Sequence, residues 1–121
     1  MNSQERQAAE ARGRRAESLA AKHLESQGFE LLDQRVITGV GELDLVMLRG
    51  QLVIFVEVKM RESLEAALWS IDPRQQQRIM AAANAWVGLN PQFAAHDMRL
   101  DAVLVDASYQ ITHIENAIEP I

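Results

Sequence analysis

Polar and apolar positions follow two different rhythms along this chain, and the changes between them mark its elements. In residues 3–27, Ala16, Leu19, Ala20, His23 and Leu24 recur at helical spacing, with Ser3 as the expected N-cap and Gly28 as the stop. Residues 29–37 change to a strand pattern that ends at the Gly39-Val40-Gly41 turn. Residues 42–48 and 51–59 predict a β-hairpin, whose second segment is nearly continuous in apolar residues and is therefore expected at the centre of a sheet. Residues 60–71 show no clear period and are expected to form a loop carrying Met60, Leu64, Leu68 and Trp69. Asp72-Pro73 is a helix start, since the aspartate caps and the proline fits the first turn. That helix runs to about Leu89 on Ile79, Ala82, Ala83, Trp86 and Val87, and Asn90-Pro91 closes it. Residues 98–106 and 110–115 supply a fourth and a fifth strand. The order α-β-β-β-α-β-β describes an α/β fold in one domain, residues 1–121, with no internal repeat or linker. The strand-helix-strand unit in residues 51–106 reads as a right-handed crossover, so strands three and four should be parallel within a mixed sheet.

The hairpin carries the chemistry. Alternation places Glu42 and Asp44 on one face of its first strand, and Glu57 and Lys59 on one face of the second. A two-residue turn at Arg49-Gly50 pairs Leu48 with Gln51, which sets Asp44 opposite Phe55 and Glu42 opposite Glu57. Carboxylates about 5 Å apart at an effective dielectric near 20 repel by roughly 3 kcal/mol per pair. A divalent metal with Lys59 alongside would relieve that repulsion, and the Val58 backbone carbonyl could be a further ligand. Phosphodiester hydrolysis needs this set, because a metal must activate water and offset charge on the phosphoryl and leaving oxygens while an ammonium steadies the crowded phosphorus.

Composition narrows the ligands and partners. The chain has no cysteine, which excludes disulfides and thiolate metal sites and fits the cytoplasm. An oxygen-only set favours magnesium, manganese or calcium over zinc. The apolar share of 48% and charged share of 24% are those of an ordinary soluble protein, and no apolar run approaches the roughly 18–20 residues a membrane span needs. Net charge is −5, but the first 24 residues carry five basic against three acidic side chains. A nucleic-acid partner is therefore expected to bind with modest, salt-sensitive affinity.

These residues resemble a known pattern. An acid on one strand, Glu-X-Lys on the next and a preceding helix bearing a glutamate resemble the PD-(D/E)XK nuclease superfamily. More narrowly, the chain is similar to the YraN-like family of small bacterial proteins, related to archaeal Holliday junction resolvases. The matching segments are Gly13-Arg14-Arg15-Ala16-Glu17, Gly41-Glu42-Leu43-Asp44-Leu45-Val46, Phe55-Val56-Glu57-Val58-Lys59-Met60-Arg61, Pro73-Arg74 with Arg78-Ile79, and Arg99-Leu100-Asp101. The resemblance implies a restriction-endonuclease-like mixed β-sheet flanked by helices and a divalent-metal-dependent endonuclease using Mg2+ or Mn2+. Its substrate would be DNA, with branched or repair-intermediate forms in view. It also implies Asp44 and Glu57 as principal metal ligands, Lys59 as the catalytic lysine, Glu17 completing the metal site and Glu42 as an auxiliary ligand. Because the related resolvases work as dimers, a homodimer is one assembly open to the chain. Gln75 or Gln76 stands where relatives often carry a basic residue, and Met60 replaces a small hydroxyl residue.

Other positions have plainer readings. Arg14 and Arg15 are the first phosphate-contact candidates, followed by Arg61 and Arg74. Asp101, alone in an apolar strand, is expected to be buried and bonded near Arg99 or to a backbone donor. His23, His96 and His113 show no ligand spacing. Trp69 with Leu64 and Leu68 is expected to pack or self-associate, with stacking on a base as the alternative. Two other functions stay open: a non-catalytic nucleic-acid- or protein-binding module on the same fold, and a structural ion-pair network joining the carboxylates to Lys59 and Arg35.

Overall fold

The computed structural model describes residues 1–118. Helix α1 (Ser3–Ser26) is followed by strands β1 (Glu30–Thr38), β2 (Gly41–Arg49) and β3 (Leu52–Met60), then by helices α2 (Leu64–Trp69) and α3 (Pro73–Leu89). A single 3-10 turn, Pro91–Phe93, leads to strands β4 (Asp97–Val105) and β5 (Ile111–Ile114). The five strands lie in chain order, β1-β2-β3-β4-β5, with β3 at the centre as its apolar run requires. All neighbours are antiparallel except β3 and β4, whose parallel register from Leu52↔Asp97 to Met60↔Val105 is the product of the crossover through α2 and α3.

Each helix covers one face of the sheet. Ala16, Ala20, Ala21 and Leu24 of α1 pack on Leu45, Met47, Ile54, Val56, Val103 and Val105, the small side chains letting the helix lie close. On the opposite face Ile79, Ala82, Ala83 and Trp86 of α3 meet Leu43, Val46, Val53, Phe55 and Leu100. Trp86 anchors this layer. Its ring meets Phe55 edge-on with centroids 5.7 Å apart, and its Nε1 donates to Asp33 at 3.0 Å. A buried indole with its N–H satisfied contributes area without an unpaired donor.

Four details differ from the sequence reading. The N-cap of α1 is Asn2, whose Oδ1 accepts from the Glu5 N–H at 2.8 Å, one residue before the expected Ser3. The hairpin turn is Gly50-Gln51, with Arg49 opposite Leu52. Positive φ is needed only at the first central residue, +60° at Gly50, which is the demand of a type II′ turn. Pairing partners therefore move by two along β3, a shift that preserves facing within the paired stretch, residues 45–49 against 52–56. Finally, the segment expected as a loop contains α2, capped by the Ser63 Oγ that accepts from Ala66 N–H. Ala67 is its one buried residue, so no apolar stripe announces it; Trp69 is 80% exposed and does not pack on the core.

Gly41 sets the height of α3 above the sheet. A Cβ there would collide with the Arg78 carbonyl oxygen, so only glycine lets the second turn of α3 rest on β2. Gly41→Ala is expected to cost about 2–3 kcal/mol in urea unfolding, because the obstacle is helix backbone with no side-chain freedom to relax. An unchanged midpoint would show that α3 can lift without loss.

Candidate functional site

Ladder pairing between β2 and β3 stops at Leu45↔Val56. Beyond that point β2 continues against β1 through Gly41↔Thr38, and β3 continues against β4. The sheet thus forks. Carried one step past the last pair, the register brings Asp44 level with Glu57, not with Phe55 as the other turn would have it. The facing of β2 also switches here: Leu43 packs with α3, but Leu45 packs with α1. Asp44 sits at the switch, so simple alternation does not describe how the acids meet.

At the fork the Val58 N–H has lost its ladder partner, and Asp44 Oδ2 accepts from it at 2.8 Å. In an extended strand a residue's N–H and C=O leave the backbone on the same side. The Val58 carbonyl therefore also faces the fork. Glu57, only 7% exposed, accepts a hydrogen bond from Gln75 Nε2 at 2.9 Å, and the same oxygen forms an ion pair with Lys59 Nζ at 3.1 Å. Burial first, then the neighbouring charge of Glu57, push the Asp44 carboxyl from 3.8 up to about 8. The Val58 N–H works against that rise, Glu17 adds to it, and the Asp44 and Glu57 carboxyls lie close enough to share a hydrogen bond.

Two hollows flank this centre. One, of about 510 Å³, is bordered by Glu42, Asp44 and Glu57 from the sheet and by Asp72, Arg74, Gln75 and Arg78 from the start of α3. The other, of about 310 Å³, lies under α1 and is bordered by Arg12, Glu17, Val58, Lys59 and Arg61. Lys59 thus stands on the α1 side while its ammonium holds Glu57. Glu17 borders this second hollow, but its carboxylate is bound by Arg35 Nε at 2.8 Å. Arg61 borders the second hollow and Arg74 the first. Arg14 is exposed and borders neither hollow, and the Arg15 guanidinium lies 4.4 Å over the Tyr109 ring. Arg12 was not singled out from the sequence, Gln75 was noted only as a missing basic residue, and Arg78 only as part of a matching segment. The four-residue spacing of Arg74 and Arg78 behind an Asp-Pro helix start was the available signal.

Among the described residues no group of three or more acidic or histidine side chains converges to enclose an ion. The fork offers the buried Glu57 carboxylate, the half-buried Asp44 carboxylate and a main-chain carbonyl, all hard oxygen donors. Magnesium commonly takes one or two carboxylates and keeps waters and phosphate oxygens as its remaining ligands. The raised Asp44 pKa shows the same need for positive charge, so the donor set fits such an ion.

Asp101 belongs to a separate network. Wholly buried, it accepts both Arg99 Nε and Nη2 at 2.8 Å, His113 Nε2 at 2.8 Å and the Asn116 N–H at 2.9 Å. Burial would raise its pKa, but these donors, Arg99 foremost, hold it below the usual carboxylate value. The network ties β4 to β5 and to the turn after it.

A central mixed sheet, one helix on each face and an acidic fork at the sheet's midpoint define the protein as a small α/β domain with a recessed polar centre. The chain belongs to the family described as uncharacterised protein family UPF0102, whose model matches residues 16–105, and this is the YraN-like family that its motifs resemble. It is 43% identical over 107 residues to a UPF0102 protein of Rhodopseudomonas palustris, covering 88% of this chain and 82% of that one. A UPF0102 protein of Azorhizobium caulinodans is 46% identical over 114 residues, covering 94% and 87%. Another from Bradyrhizobium diazoefficiens is 46% identical over 103 residues, covering 85% and 77%. Among the described residues no helix is long and apolar enough to cross a membrane.

Proposed function

We propose that this protein is a divalent-metal-dependent endonuclease that hydrolyses DNA phosphodiester bonds in the cytoplasm, with branched or repair-intermediate DNA as its substrate. The observation that carries the reading is the meeting of Asp44, Glu57 and Lys59 where the sheet forks. Asp44, Glu57 and the Val58 carbonyl would hold magnesium or manganese, with Glu42 and Glu17 as further oxygen donors. When bound, the ion supplies Lewis acidity to water and to the phosphoryl oxygen. Lys59 steadies the charge that builds around phosphorus and orients the attacking water. Gln75 fixes the rotamer of Glu57, so the carboxylate keeps one oxygen turned toward the centre. Arg61 and Arg74 on the rims would meet the flanking phosphates.

Labelled duplex, flap and four-way-junction DNA incubated with magnesium or manganese tests this. Cleavage is expected with either ion and not with chelator. Glu57→Gln and Lys59→Met are each expected to slow it at least about 100-fold, since each removes a group needed in the transition state. Cleavage that survives both substitutions places the activity elsewhere. The alternative, a non-catalytic binding module, is favoured by one observation, the capture of Glu17 by Arg35 away from the other acids. Calorimetry separates the two: DNA binding without uptake of magnesium or manganese selects the binder.

A further inference from the structure

Among the described residues Trp69 is the largest of several apolar side chains that the fold leaves uncovered. The corner that carries it is firmly tied: Ala67 is buried against β4, Ser63 and Asp72 cap the flanking helices, and Gln76 Nε2 donates to the Ile71 carbonyl at 3.1 Å. An indole left 80% exposed on an ordered corner is presented, not frayed. Its Cα lies within about 11 Å of that of Asp72, three residues on, which borders the carboxylate hollow. The same hollow is bordered by Arg74 and Arg78, successive on one face of α3. Among the described residues neither has a carboxylate partner within ion-pair distance.

Charge decides what such a surface can hold. Duplex binding draws mainly on neutralising many phosphates. A chain of net charge −5 with two unpaired arginines in this hollow supplies little of that. Stacking on an aromatic ring is insensitive to salt and requires an unpaired base.

We propose that Trp69, Arg74 and Arg78 form a subsite for a single-stranded stretch of DNA, the arginines taking its phosphate and Trp69 the adjoining base, beside the phosphodiester bond to be cut. This rests on the nuclease reading and names its substrate class: DNA with unpaired nucleotides next to the cut, in preference to uninterrupted duplex.

The full chain is titrated with dT12 and with a blunt twelve-base-pair duplex in chelator, with tryptophan emission as the signal. Trp86, the other tryptophan, is only 2% exposed and serves as the internal reference. The expected result is quenching of Trp69 by dT12, at least ten-fold weaker duplex binding, and a salt slope of roughly −1.5 for two phosphates. Trp69→Ala should weaken dT12 about ten-fold, and Trp69→Phe should restore most of it. Arg74→Gln with Arg78→Gln should flatten the salt slope. Equal affinity for duplex, or Trp69→Ala binding as the parent does, overturns the proposal. So does a dimer that Trp69→Ala splits in sedimentation while DNA affinity holds. A protein that prefers dT12 through Trp69 yet never cleaves sinks the nuclease reading and leaves this subsite standing. One that cuts blunt duplex as fast as a flap does the reverse.

Discussion

Asp44→Asn is expected to raise the melting temperature of the metal-free protein at pH 8 by roughly 10 °C. The parent holds this carboxyl, raised to about 8, half-buried in the fork beside Glu57. The unfolded chain releases its proton near 3.8, so between these values the folded state binds more protons than the unfolded one. Stability is then fully present below about pH 4 and falls as pH rises toward 8, levelling off above. A shift of four units sets a ceiling of about 5 kcal/mol on the loss. Asparagine keeps an acceptor for the Val58 N–H and carries no charge, so the variant should melt with little pH dependence over this window. Saturating magnesium or manganese should raise the parent by about 2.7 kcal/mol at a hundred times its dissociation constant, and should leave the variant almost unmoved. Differential scanning fluorimetry in chelator from pH 4 to 9 checks both points. A parent curve flat from pH 5 to 8 would mean that Asp44 is ionised at no cost, and the electrostatic account of the fork would be wrong.

The second large effect is structural. Asp101→Ala should destabilise by about 3 kcal/mol, because it leaves the half-buried Arg99 guanidinium only the exposed Glu115 at 3.7 Å and leaves His113 without its partner. In a chain of this size that lowers the melting temperature by roughly 10–20 °C. Replacing Arg99, Asp101 and His113 together by apolar residues should recover part of the loss, since the penalty lies in the poorly compensated cation more than in the missing attraction. Because its pKa is lowered, the Asp101 contribution is present above the ordinary carboxylate value and lost in acid. Thermal melts of the single and triple variants decide it, and a triple variant no more stable than the single one would refute the reasoning.

The strands and the two long helices were legible because their apolar residues recur with periods of two and of 3.6 over many residues. α2 was not, since Leu64, Leu68 and Trp69 face solvent and a single buried Ala67 makes no period. That Asp44, Glu57 and Lys59 lie at one end of the hairpin was legible even though the turn was misplaced, because a shift of two residues moves partners without separating these segments. The route to it was not: the acids meet where β2 and β3 part company, and a fork leaves no mark on local alternation. Gln75 and Arg78 reach the site only because Gly41 lets α3 settle on β2, a contact between distant segments. Arg15 shows the converse, its guanidinium claimed by Tyr109 from far along the chain. Asp101 was read correctly as a buried acid joined to Arg99, but His113 as its third partner lies on a strand whose register the sequence did not specify.

The parallel pairing of β3 with β4 bears on how the chain is made. β1, β2 and β3 can zip together as soon as they leave the ribosome, each turn closing a short loop. The β4 flank of β3 must then wait, bare and apolar, until the two following helices and Asp97–Val105 have been synthesised. Nascent chains stalled before Asp97 should be sticky and chaperone-bound, and slow translation across α3 should cost yield more than slow translation anywhere upstream.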